Sequence, residues 1–536
     1  MKAMKKIPGT FAIVCYIVLA AALLTWVIPG GEYTRRAMMV DGTLREVVED
    51  GSFHYVSPQP QTFSVLYALY EGFVDKADII IFVLMVGGAF WILNSTGAVD
   101  SGVRSFVDFT RRCRQKKWLS KMDIDSLVLA VIMVMFSLFG AVFGMSEETI
   151  AFIVVFVPMA VSMGYDSITG VCISYLAAHV GFAGAMLNPF TIGIAQGIAG
   201  IPLFSGLGYR ICCWAVLTAI AVFFVLRYAR RIKYHPETSP VHAIDAYWRK
   251  RADEVGAGER ETMPACGWPA YVVFVFLSVV QLYCAWKYPF TVIAVGAGEW
   301  NVCLLPVLAV LFMVWGLFSC RRTVAAFNMQ LLFFTVFYLV VGVLGYRWYT
   351  MEISALFLAM GLCAGFSAGK GLDKVTGLFL EGVKDILAPA MVIGLASGII
   401  FILQEGKVID TILHGVASAM SEMGEVVSVG MMYAFQTALN LVMPSGSAKA
   451  ALTMPIMSQF ADLIHISRQT TVLAFQFGDG FTNMITPTSG ILLGVLGVAR
   501  IPYAVWIKWV YKFILFLILL GFLLLLPTLF FEFSGF

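Results

Sequence analysis

Charge is scarce in this chain. Asp, Glu, Lys and Arg make up 13% of its 536 residues, where a soluble domain carries roughly 25%. With 60% of the residues apolar, that scarcity excludes an ordinary soluble module and points to an integral membrane protein. No glycine-rich phosphate loop or nucleotide-binding domain is present, which argues against direct coupling to ATP. The ten cysteines show no CxxC or Cys/His ligand spacing, predicting free thiols, no metal site and no resident cofactor. Lys and Arg cluster in short runs without an accompanying soluble domain, so they read as topology signals and not as a nucleic-acid surface.

What is abundant is apolar sequence. Long apolar segments at 11–28, 79–96, 166–200, 207–228, 268–287, 302–319, 326–346, 350–366, 384–403, 468–499 and 505–530 predict about eleven crossings of an all-α polytopic protein. Segment 11–28 follows Lys2, Lys5 and Lys6 and lacks a small-residue cleavage site, so it reads as a retained span with the amino terminus inside. Basic runs at 104–121, 227–251 and 321–322, and Lys370 with Lys374, are placed inside on the same rule. Residues 30–76 and 404–424 and the carboxyl terminus then fall outside. The charged stretch 229–266, with Gly256 and Gly258, reads as a cytoplasmic linker.

The chain repeats itself. EGFVDKADIIIFVLMVGGAFWILNSTGAVD (71–100) and EGVKDILAPAMVIGLASGIIFILQEGKVID (381–410) share Glu-Gly, Asp, Gly, Ile-Leu and Asp at one offset, 381 − 71 = 310. The match resumes at a smaller offset, pairing Ser146 with Ser445, Pro158 with Pro455 and Pro189 with Pro487. Seven crossings between the copies reverse their sense, which predicts inverted-topology repeats, a signature of secondary transporters.

Polar interruptions recur in both copies. LVMPSGSAKA (441–450) divides 425–464, and GMSEET (144–149) divides 124–164. In the second copy, arms of about 16 residues rise roughly 24 Å against a 30 Å hydrocarbon core, so both segments are predicted to be re-entrant hairpins. Each is followed by an interrupted helix: 166–200 breaks at LNPFT (187–191) and 468–499 at ITPTSG (485–490). Irregular backbone at that depth is tolerated where it lines a wet cavity or is buried in protein, so two tips and two breaks are expected to converge on a site. Helix N-termini there suit a carboxylate and exposed carbonyls suit a cation.

The candidate lining is Ser146, Glu147 and Glu148 in the first tip, Ser445, Gly446 and Ser447 in the second, Asn188 and Thr191 in the first break, and Asn483, Thr486, Thr488 and Ser489 around the second. Two adjacent carboxylates exceed what a helix N-terminus needs, although capping by Ser146, Glu147 and Glu148 is the structural alternative. Lys449 either meets a substrate carboxylate, stands in for a coupling cation, or pairs with an acid. Asp479 is an intramembrane carboxylate flanked by glycines. His179 is a proton-relay candidate or a satisfied core histidine.

The runs GMSEET (144–149), QFGDGFTN (476–483) and MITPTSG (484–490) resemble the anaerobic four-carbon-dicarboxylate carrier family, in particular its YfcC-type branch of basic amino acid antiporters. The resemblance covers nearly the whole chain. It implies the ion-transporter superfamily fold in a bacterial cytoplasmic membrane: a homodimer in which scaffold parts (1–122 and 267–424) hold mobile transport parts (123–228 and 425–536) that move as elevators. It also implies substrate contacts at Ser146, Glu147, Asn188, Ser445, Ser447, Thr486 and Thr488, and Na+ or H+ as coupling ion. The tips read Ser-Glu-Glu and Ser-Gly-Ser, not the Ser-Asn-Thr of the sodium-dicarboxylate relatives. Glu147, Glu148 and Asp479 against Lys449 disfavour a dianion, so a cationic amino acid is the expected small-molecule substrate. A sodium-coupled dicarboxylate or peptide carrier is the alternative. An intramembrane hydrolase is a remote one: for Asp479, Gln476 stands where the intramembrane-protease motif wants a Gly, and for Ser445 with Lys449 an inverted second copy has no catalytic purpose.

Overall fold

In the computed structural model the described residues are 10–40, 43–49, 51–98, 101–102, 123–250, 265–295, 298–420, 424–464, 466–531 and 533. Lys2, Lys5, Lys6, Asp100, the basic run 104–121 and the linker glycines 256 and 258 lie outside them. The protein is mostly helical. Helix α1 (Thr10–Val27) leads into strands β1 (Gly31–Glu32), β2 (Arg35–Val40), β3 (Thr43–Val48) and β4 (His54–Tyr55), then α2 (Ser64–Asp75) and α3 (Ala77–Asn94). The first interrupted unit follows: α4 (Ile124–Phe143), α5 (Thr149–Ser162), α6 (Ser167–Ala183, with a π turn over Cys172–Leu176) and α7 (Ile194–Ala199, entered through the π turn Pro189–Gly193).

Helices α8 (Leu207–Tyr234), α9 (Trp268–Lys287), α10 (Leu304–Ser319), α11 (Val324–Tyr346) and α12 (Thr350–Ser367) connect the halves, with strands β5 (Thr291–Val295) and β6 (Gly298–Val302) between α9 and α10. The second half comprises α13 (Leu372–Glu405), α14 (Val408–Met420), α15 (Glu425–Asn440), α16 (Gly446–Leu463), α17 (Arg468–Asn483), α18 (Gly490–Ala499) and α19 (Tyr503–Leu525).

Among the described residues seven helices are long and apolar enough to cross a membrane, or eight if α13, bent by 42° between Ala388 and Ala390 where the sequence has a proline, counts as one span. The sequence predicts about eleven crossings. Part of the shortfall has a physical source: the polar breaks cut 166–200 and 468–499 into pieces, and α10 has 16 residues. Helix α4 is itself 20 residues long, about 30 Å at 1.5 Å per residue, so arm length alone does not make the first hairpin re-entrant. The strands form three two-stranded antiparallel sheets beyond the all-α expectation. Residues 64–75, which the sequence places in an external loop, are helix α2.

The 310-residue offset is visible in packing. A Cβ on Gly72 would stand 2.1 Å from the Gly394 oxygen and 2.6 Å from the Gly398 nitrogen, where α2 crosses α13. A Cβ on Gly382 would stand 2.6 Å from the Gly87 oxygen and 2.8 Å from the Gly88 Cα, where α3 crosses the same helix. Since 72 + 310 = 382 and 88 + 310 = 398, both are one contact made twice. Small residues let the backbones touch, which is how helices associate where lipid offers no hydrophobic drive.

The interrupted units interlock. Helix α4 packs along α6 and α15 along α17, while α5 packs on α18 and α16 on α7. The start of α6 meets the linker: Asp166 caps Thr169 N at 2.9 Å, and Asp245 accepts from Ser167 N at 2.8 Å. On that side, Trp248 donates to the Ala499 oxygen at the end of α18 (3.3 Å). The end of α7 meets the start of α17, where Arg468 donates to the Ala199 oxygen and Gln196 to Gln469. Strand β3 lies beside α16.

This packing can be tested at two places. Gly72→Ala should lower stability by about 1–3 kcal/mol through overpacking, whereas Gly377→Ala, with open space at its Cβ, should not; thermal unfolding in detergent separates them. Burial, with the charge of Asp166 beside it, pushes Asp245 up to about 6 from 3.8. A raised carboxyl pKa means this group's contribution is present at low pH and is lost as pH rises through about 6. Asp245→Asn should therefore stabilise the protein above that pH relative to wild type, and lose its advantage near the ordinary carboxyl value of 3.8.

Candidate functional site

The second tip begins where α15 ends. Asn440 Nδ2 lies 2.9 Å from the Asp479 backbone oxygen, the Thr482 hydroxyl and Asn483 Oδ1, tying the end of α15 to the last turn of α17. Its Oδ1 accepts from Lys449 Nζ at 3.2 Å. The Lys449 ammonium is also 3.0 Å from Asp479 Oδ1, and neither side chain is exposed. The geometry is that of a buried ion pair, further shielded by the Phe475 ring 5.1 Å away. The Lys449 ammonium is therefore turned to Asp479 and not to Ser445.

The carbonyl at the end of each first arm is held by the following break. Thr486 and Thr488 hydroxyls both donate to the Leu441 oxygen, at 2.8 and 2.9 Å. In the first copy the backbone N–H groups of Met186 and Leu187 donate to the Ala141 oxygen, at 2.9 and 3.1 Å. Each break also caps its second half-helix: Asn188 Oδ1 accepts from Phe190 N at 2.9 Å, and the Ser489 hydroxyl accepts from Leu492 N at 3.2 Å. Carbonyls freed in the second break are taken by α19, with Trp506 donating to the Met484 oxygen and Tyr503 to the Ile485 oxygen. The breaks that carry Pro189 and Pro487, where the backbone lacks a donor, are thus supported in both copies by polar groups set beside them.

The first tip turns on Gly144, whose φ of +70° closes α4 and whose missing Cβ leaves room for Asn188, 2.5 Å from where that atom would be. Ser146 N donates to Glu148 Oε2 at 2.9 Å, so the buried Glu148 caps its own tip. The Ser146 hydroxyl is 3.3 Å from His179 Nε2. His179 Nδ1 faces the Tyr175 carbonyl at 3.0 Å and so carries the proton, leaving Nε2 to accept from Ser146. His179 is thus hydrogen-bonded at both ring nitrogens and set against the tip. The Tyr175 hydroxyl continues the chain to the Asn483 oxygen at 3.0 Å, linking the first tip to the second break.

Several groups remain uncommitted. Asn188 Nδ2 and the Thr191 hydroxyl are buried without a hydrogen-bond partner among the described residues. Thr191 reaches the second tip, its methyl 2.8 Å from the Cβ position of Gly446, which in turn is 3.3 Å from Asp479 Oδ2. Ser445 and Ser447, half-buried at the start of α16, make no side-chain hydrogen bond with described residues. Glu147 is half-buried, and its Oε1 accepts from the Tyr349 hydroxyl at 3.2 Å. Sequence reasoning misses Tyr349, at the start of α12, and likewise Asn440, Tyr175, Tyr503 and Trp506. Among the described residues no group of three or more His, Cys, Asp or Glu could hold a metal.

A family model described as the C4-dicarboxylate anaerobic carrier matches residues 7–529. The chain belongs to that family. It is 32% identical to the Escherichia coli (strain K12) protein named "Putative basic amino acid antiporter YfcC", over 94% of this chain and 92% of the relative. An uncharacterised Haemophilus influenzae protein is 25% identical over 97% and 96% of the two chains. Among solved structures, that of the Alcanivorax borkumensis YdaH transporter covers 98% of this chain and 99% of its own at 15% identity and a TM-score of 0.36. The carrier is thus a multi-pass membrane protein and not an enzyme, which removes both hydrolase readings.

Removing one half of the buried ion pair should be far worse than removing both. Lys449→Met leaves Asp479 uncompensated and should lower the carrier's stability by about 3–5 kcal/mol. Combining it with Asp479→Leu should recover most of that loss, as read by thermal unfolding.

Proposed function

We propose that the carrier is a secondary active transporter of cationic amino acids. The observation that carries this reading is the state of Glu147: a half-buried carboxylate at the first tip with no ion-pair partner among the described residues. Lys449, an intramembrane cation close by in sequence to the second tip, is already neutralised by Asp479. A site whose open charge is negative attracts a cation and repels a dianion. For the substrate carboxylate we propose the Ser445 and Ser447 hydroxyls at the start of α16, Asn188 Nδ2 and the Thr191 hydroxyl, which have no hydrogen-bond partner among the described residues. Ser146, Glu148, Asn483, Thr486, Thr488, Ser489, His179, Lys449 and Asp479 act as the frame that holds those groups in place.

The mechanism we infer is alternating access by an elevator, with the two interrupted units moving against α2, α3, α12 and α13. Three features support it. The Gly72–Gly398 and Gly88–Gly382 crossings repeat at one offset. The start of α6 shares a face with the end of α18, and the end of α7 with the start of α17, as antiparallel copies require. Both hairpins turn at polar tips between apolar arms. A homodimer in the cytoplasmic membrane, with the amino terminus inside and the carboxyl terminus outside, completes the reading, together with Na+ or H+ as coupling ion if transport is not strict exchange. The family's description favours a C4-dicarboxylate carrier as the second reading, which we take as sodium-coupled.

Uptake of labelled arginine and of labelled succinate into proteoliposomes, with and without sodium, decides between them. Arginine uptake is the expected result; succinate uptake that requires sodium overturns the assignment. Glu147→Gln should raise the KM for a cationic substrate by roughly 10- to 100-fold, the range set by a charged hydrogen bond of about 1.5–3 kcal/mol. A neutral amino acid should be nearly unaffected, and equal loss for both would assign Glu147 to structure.

A further inference from the structure

A cavity of about 510 Å³ lies between the strands, the α13–α14 corner and the second hairpin. That volume is within the range of small-molecule sites, roughly 300–1,000 Å³. Its charged wall comprises Glu32, Arg35, Glu405, Lys407 and Asp410; its other wall includes Met443, Ala448 and Ala451 from the second tip and the start of α16. Two ion pairs lie along that charged wall. Lys407 Nζ is 2.6 Å from Glu32 Oε1, and Arg35 Nη2 is 2.9 Å from Asp410 Oδ2. The frame is anchored through backbone, with Tyr33 N donating to Asp410 at 3.0 Å and Gly31 N to the Lys407 oxygen at 2.9 Å. Glu405 has no ion-pair partner among the described residues.

We propose that this cavity is a second, outer binding site for one cationic amino acid. Three carboxylates against two cations, 3 − 2, leave one net negative charge, which a substrate with one net positive charge neutralises. Opposite signs stand side by side, as a molecule carrying both a carboxylate and a remote cation requires: Arg35 and Lys407 for the first, Glu405 with Glu32 for the second. The partly exposed pairs, with Arg35 at 40%, Lys407 at 34% and Glu32 at 33% exposure, can exchange partners at little cost. Asp410, 6% exposed and held by Tyr33 N, stays as the fixed point. Because Ala448 is exposed and belongs to the second tip, an occupant would sit directly beside that tip.

The inference rests on the cationic-substrate reading, and the test separates the two. Equilibrium binding of radiolabelled arginine to the purified full-length carrier in nanodiscs should give two equivalents per chain. Glu405→Gln should reduce this to one while leaving the maximum uptake rate unchanged and raising KM several-fold; Glu147→Gln should also leave one equivalent but suppress uptake. One equivalent in the wild type, or two that survive in Glu405→Gln, overturns the outer site while leaving the proposed function standing. No arginine binding in any protein overturns both.

Discussion

A helix interrupted inside a membrane leaves backbone N–H and C=O groups without partners, and no water of the hydrocarbon core is there to take them. Here four interruptions are brought together, so the arrangement stands only if each freed group is answered by another element. The carbonyls of Ala141 and Leu441 are answered by the break that follows each hairpin. Those of Met484 and Ile485 are answered by Trp506 and Tyr503 on α19. This mutual satisfaction explains why hairpins and broken helices occur as a set. Remove one partner and the other loses its acceptors or donors in a medium where that loss is expensive.

The two copies meet the same requirement by different chemistry. At the end of the first arm of the first copy backbone amides donate to Ala141, and in the second copy threonine hydroxyls donate to Leu441. The first copy has no counterpart of the Lys449–Asp479 pair, since Gly181 and Phe182 stand in the region matching Asp479. Instead it carries Glu147 and Glu148. The two copies thus share a sequence pattern and differ in charge.

Much of this is legible in the sequence because it depends on local composition: apolar runs, the repeat at 310, and polar residues where none should be. Asn188, Ser489 and Gly144 are placed by turn and cap chemistry that acts within a few residues. Asn440, Tyr175, Tyr349, Tyr503 and Trp506 escape such a reading. They look like ordinary members of apolar segments, and their roles come from contacts 9 to 308 residues away in the chain. The strands and α2 escape it for another reason. In 30–76 the apolar signal is too weak for a span, and the sequence does not reveal that α13 offers glycines against which α2 can lie.

Charge accounting then narrows what the tips can do. Inside the membrane a charge must be paired, capped or offered to a ligand. Lys449 and Asp479 are paired with each other. Glu148 is turned onto Ser146 N, within its own tip. Glu147 is turned outward from the interrupted units to the Tyr349 hydroxyl on α12, a neutral donor on an element that the elevator reading treats as static. On that reading, a cation drawn to Glu147 competes with Tyr349 for the same carboxylate. Loading the site would then weaken one contact between the moving and fixed parts, so that occupancy and freedom to move are linked through a single side chain.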